Sequence, residues 1–145
     1  MRDLLSSPRR NDVALLLIRL GVGLSMLLFH GWGKLVGGPE RWTSLGGTMA
    51  RWGLDFAPVV WGFAAAASES VGSLLLIVGI AFRPAAGMLA GTMLVAAAYH
   101  LSLPPDASGA GWSGASHALE LLCVYVALLL TGPGSYALQL RRRRS

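Results

Sequence analysis

The chain is 145 residues long, which allows one domain. With 54% hydrophobic and only 13% charged residues, and a positive mean hydropathy, it falls outside the composition of soluble globular proteins. The net charge of +5 does not mark a nucleic-acid binder: of the twelve basic residues, four form the run Arg141–Arg144 and three (Arg2, Arg9, Arg10) lie in the first ten, leaving no basic face inside a folded unit.

Residues 1–12 read as a short basic cytoplasmic tail. A first span follows over 13–33, long enough to cross a bilayer at about 1.5 Å rise per residue. Its basic start resembles a signal peptide, but Arg19 interrupts the apolar run and no small-residue cleavage site follows, so the segment is expected to be retained. Arg19 and His30 are eleven residues apart, close to three α-helical turns, and should share a face. Residues 34–55 connect to the next span. Within them Trp42, Leu45, Met49 and Trp52 recur at helical spacing, and Pro39 suits a helix start, so 40–52 reads as an interfacial helix with its tryptophans at headgroup level. An irregular loop is the alternative, because Gly46 and Gly47 weaken a helix there.

The second span is placed at 57–81, with Glu69 near its middle, and the third at 85–103, with His100 at its end. Phe82-Arg83-Pro84 makes the turn between them. A Pro/Gly/Ser-rich loop leads to the fourth span, 115–130, which carries His117, Glu120 and Cys123 before Gly132-Pro133-Gly134 ends it. A lone cysteine excludes dithiol chemistry within the chain, and Cys123 reads as a small packing residue. The fold expected is all-α, a polytopic four-helix membrane bundle. Both termini are cytoplasmic in this reading, because Arg2, Arg9, Arg10, Arg83 and Arg141–Arg144 fall on one side and residues 141–145 form a basic tail.

Ionisable groups are rare at membrane depth and normally have partners there. Arg19, His30, Glu69, His100, His117 and Glu120 come from four spans and are expected to line one internal column, with Lys34 at its mouth. In one reading the column is structural, Arg19 pairing with Glu69 or Glu120 while the histidines bond at the wet rim. In the other it is a ligand or proton site, and three chemistries compete. A metal is weakly indicated by His117 and Glu120, three residues apart, with His100 in support. Haem needs two histidines at matched depth, for which His30 and His100 qualify. A quinone or similar apolar molecule with polar ends, held by histidine and carboxylate, is favoured. The chain has no nucleophile elbow, phosphate loop or dinucleotide fingerprint.

Several stretches resemble the DoxX family of small four-helix membrane proteins: Arg19-Leu20-Gly21, His30-Gly31-Trp32-Gly33-Lys34, Glu69 with Gly72 and the 74–79 run, Arg83, His100, Glu120-Leu121, and Gly132-Pro133-Gly134-Ser135-Tyr136. They extend over residues 13–140. The resemblance implies a multi-pass subunit of the inner (cytoplasmic) membrane, associated with redox systems and with other protein subunits. At most it is a quinone-linked oxidoreductase component. The alternative is a non-catalytic anchor or assembly subunit. Ala137 and Gln139 stand where the family often shows a Ser-Leu-Asp ending, and the Arg141–Arg144 tail is an addition.

Overall fold

The computed structural model describes residues 8–138, so Arg2, Gln139 and the Arg141–Arg144 tail lie outside the described residues. The described chain is all-helical. Helix α1 (Arg9–Leu35) contains a widened π-type turn at Met26–Gly31. Helix α2 (Gly38–Gly46) has Pro39 in its first turn, tightens into a 3-10 segment (Gly47–Trp52) and stops at Gly53. Helix α3 (Pro58–Val78) has a second π-type turn at Ser68–Gly72, followed by α4 (Phe82–Ser102) and α5 (Gly111–Thr131). The third long helix starts three residues before the expected 85, because Pro84 is tolerated in a first helical turn and does not delay the start.

Four helices, α1, α3, α4 and α5, are long and apolar enough to cross a membrane. Their outward faces are mostly apolar, with Leu17, Phe29 and Leu130 well exposed, while Arg19, Ser68, Glu69, Ser70 and Ser73 are buried between them. Polar groups inside and apolar groups outside is what a lipid solvent selects. The core joins Met26 of α1, Leu76 of α3, Leu89 and Met93 of α4, and Tyr125 and Leu128 of α5.

The connector helix α2 does not stand apart from the bundle. It crosses the start of α3 backbone to backbone: a Cβ on Gly46 would collide with the Pro58 carbonyl, and one on Gly62 with the Trp42 carbonyl. Trp42 is clamped there, its ring edge-on to Phe63 at 4.9 Å between centroids. Gly62→Ala is therefore expected to push α2 off α3 at a cost of about 1–3 kcal/mol. The check is the thermal midpoint in detergent, and an unchanged midpoint would contradict the close packing.

Candidate functional site

The two π-type turns face each other across the α1–α3 contact. Gly31 in the first lies against the backbone of Glu69 and Ser70 in the second, since a Cβ there would come within 2.5 Å of the Glu69 carbonyl oxygen. Such turns break the regular i to i−4 ladder and re-aim the side chains they carry. The turn at Ser68–Gly72 buries Glu69 in the bundle, and Lys34, one turn beyond Gly31, reaches it. The Lys34 ammonium donates to both carboxylate oxygens, at 2.7 Å and 2.6 Å. The carboxylate side chain is 4% exposed and the lysine 24%, so the pair has one dry end and one end open to the surface. Trp42 of α2 fixes the lysine backbone by donating its indole N–H to the Lys34 carbonyl at 2.9 Å.

Beside this pair two imidazoles from different helices stack. His30 of α1 and His117 of α5 have ring centroids 5.4 Å apart and planes inclined by 28°. Elsewhere in the bundle two buried hydroxyls, Ser73 Oγ on α3 and the Tyr125 hydroxyl on α5, find no hydrogen-bond partner among the described residues. An unpartnered buried hydroxyl is costly, and it marks a place where a ligand or water gains a ready hydrogen bond.

The other expected site residues lie elsewhere. His100 bonds the Gly109 carbonyl through Nδ1 at 2.7 Å and turns its ring edge-on to Tyr99, so it ties down the loop after α4. Glu120 stands exposed on the outside of α5 and does not enter the internal column. Cys123 is exposed on the same helix, which corrects its reading as a packing residue. Among the described residues no three His, Cys, Asp or Glu side chains group as a metal site requires, so His100, His117 and Glu120 do not converge. The ring contact of His30 is with His117, and those of His100 are with Gly109 and Tyr99.

Arg19 departs furthest from expectation. It is fully buried and meets neither Glu69 nor Glu120. Its guanidinium donates to the carbonyls of Leu76 (3.0 Å) and Ile77 (2.6 Å) in the last turn of α3. It also donates to the carbonyls of Pro133 (2.7 Å) and Tyr136 (3.4 Å) beyond α5, and packs over the Phe82 ring. The last carbonyls of a helix have no intrahelical donor, and a cation is favoured at that end of the helix dipole. Arg19 supplies both. The π-type turn between Arg19 and His30 also voids the three-turn count that placed them on one face.

A separate cavity of about 320 Å³ opens between α2, α3 and α4, mostly apolar and including Leu45, Met49, Trp61 and Met88. Its polar feature is a hydroxyl pair, with Thr92 donating to Ser68 at 2.9 Å. Sequence reasoning passed over Ser68, Thr92 and Tyr125. Serines on both sides of Glu69 were the available signal.

A family model for DoxX matches residues 14–101, more than half of the chain. The chain belongs to the DoxX family. No curated protein and no solved structure matches it. The matched stretch of this DoxX protein holds Arg19, His30, Lys34, Glu69 and His100 and ends before α5. His117 therefore stacks on His30 from a helix outside the match, and Tyr125, Glu120-Leu121 and the 132–136 segment also lie beyond it. With four candidate spans, it is a multi-pass integral membrane protein in contact with the lipid bilayer.

Proposed function

We propose that this DoxX protein is a redox-associated subunit of the cytoplasmic membrane that binds a quinone, or a similar small proton-exchanging ligand, at the Lys34–Glu69 pair. The observation that carries the reading is the buried carboxylate held by a partly exposed lysine beside a stacked histidine pair. A quinone bound there supplies two-electron, two-proton chemistry and needs hydrogen-bond donors at its oxygens. Lys34 offers such a donor once it swings from Glu69, and Glu69 then holds a proton away from bulk water. The imidazoles of His30 and His117, side chains able to give or take a proton, stack from that carboxylate towards the open edge of the bundle. An oxidoreductase is the proposed partner. Both termini are assigned to the cytoplasmic side, in keeping with the exposed Arg9, Arg10 and Arg83.

Arg19 favours a second reading, in which the protein is an anchor or assembly subunit. The buried cation donates to backbone carbonyls and packs over Phe82, a use that supports a structural role for intramembrane charge in this chain. The two readings separate on gentle purification of the tagged chain from its own membranes. The quinone reading expects about one extractable quinone per chain, lost when His30 and His117 are both replaced by phenylalanine while the bundle still accumulates. Recovery with a stoichiometric enzyme but without quinone, in wild type and variant alike, would leave the anchor reading standing.

A further inference from the structure

The cavity between α2, α3 and α4 includes neither Lys34 nor Glu69, and among the described residues its lining holds no ionisable side chain. Leu45 and Met49 border it from the connector and Trp61 from α3, while Met88 and Val95 of α4 stand exposed at its outward side. Between those two, Gly91 carries no side chain, and a Cβ there would meet nothing within 4 Å. The cavity therefore has an unobstructed mouth on the side where α4 faces the hydrocarbon.

Ser68 and Thr92 give this apolar space one polar point. Ser68 is 3% exposed at the middle of α3, and Thr92 stands at the middle of α4. Thr92 has a single hydroxyl proton and two acceptors in reach, Ser68 Oγ at 2.9 Å and the Met88 carbonyl at 3.1 Å. When it donates to Ser68, the Ser68 proton has no acceptor among the described residues. When it turns to the Met88 carbonyl, Ser68 is free to donate to Thr92, and the pair presents lone pairs instead. The same point thus meets a carbonyl oxygen with a donor and a hydroxyl with an acceptor. At mid-membrane no bulk water competes for it.

We propose that this cavity is a second binding site, for an uncharged, ring-sized lipophilic molecule carrying a carbonyl or hydroxyl oxygen. Charge is excluded because no side chain in the lining would compensate it. Size follows from the volume of about 320 Å³, at the lower end of the roughly 300–1,000 Å³ of ligand pockets. The oxygen follows from the buried hydroxyl: an acyl chain fills the space but leaves the Ser68 proton unanswered, whereas a carbonyl accepts it. Such a molecule dissolves in the bilayer and enters past Gly91. The site is independent of the quinone reading, since neither residue of the ion pair lines it.

Benzophenone tests the site on the full chain in its own membranes. It is uncharged and carries one carbonyl. Under near-ultraviolet light that carbonyl takes a hydrogen from a neighbouring C–H bond, and the two carbon radicals then join, leaving a tertiary alcohol on the adduct. Labelling mapped by peptide mass is expected to saturate and to fall on Met49 and Met88 in the lining, not on Met26 and Met93 in the core. Ser68→Ala should raise the half-saturating concentration about fivefold, the worth of one hydrogen bond at about 1 kcal/mol. Gly91→Leu, which places a side chain in the mouth, should cut labelling of both methionines at least tenfold. In wild type, benzhydrol should displace the probe about fivefold better than diphenylmethane, its oxygen-free analogue, at equal concentration in the membrane. Labelling that never saturates, that Ser68→Ala leaves unchanged, or that diphenylmethane displaces as well as benzhydrol does, would overturn the site and leave the cavity to acyl chains. Wild-type labelling in Gly91→Leu would overturn the entry route.

Discussion

Replacing Arg19 with leucine is expected to destabilise the bundle by at least about 3 kcal/mol, enough to deplete the protein from the membrane. The substitution removes the guanidinium donors to the Leu76, Ile77 and Pro133 carbonyls at once, the first of them buried and the other two partly so. It also releases the segment after α5, which is otherwise held by Arg19, by the Leu138 amide on the Val78 carbonyl and by Asp12 on the Ser135 amide. Arg19→Lys should recover only part of the loss. An ammonium is a compact point charge and cannot span carbonyls on both sides as the planar guanidinium does. The readouts are membrane accumulation and the thermal midpoint in mild detergent. A leucine variant that melts with wild type would refute the capping role.

Glu69→Gln separates chemistry from scaffolding. The glutamine keeps the size of the side chain and a hydrogen bond to Lys34 but removes the carboxylate. The lysine is partly exposed and long enough to carry its charge to the surface, so the fold should lose only about 1–2 kcal/mol. If the site handles protons for a bound quinone, linked turnover should fall by about a hundredfold or more. The paired variant Lys34→Met with Glu69→Gln sharpens the outcome. Removing both charges of a buried pair is often neutral for stability. Recovery of turnover in that double variant would make the pair structural, whereas a stable, quinone-free protein would confirm its role in binding.

The architecture was legible in the residues. Four apolar stretches of spanning length, punctuated by Gly37-Gly38-Pro39, Arg83-Pro84, Pro104-Pro105 and Gly132-Pro133-Gly134, leave little choice but four membrane helices. The helical spacing of Trp42, Leu45 and Met49 pointed to a helical connector over 40–52, where α2 holds the first two and the 3-10 segment after it holds Met49. Sequence also identified Glu69 and Lys34 as functional candidates, because charge within or beside an apolar run stands out whatever the fold.

Which charges meet depended on how the helices pack. Arg19 looked like the cation for a glutamate because side-chain chemistry is visible in a sequence, whereas orphaned carbonyls at the end of α3 are not. The wide turns at Met26–Gly31 and Ser68–Gly72 left no mark in residue pattern, yet they set the facing of His30 and Glu69. Glu120 is the plainest case. In a soluble helix the apolar stripe tells inside from outside, but in a membrane helix both sides are apolar and that signal fades. The stripes through Ala118 and Tyr125 and through Glu120 and Cys123 are equally plausible as the inner face, and only the packing of α5 on α4 turned the first inward and left the second to the lipid.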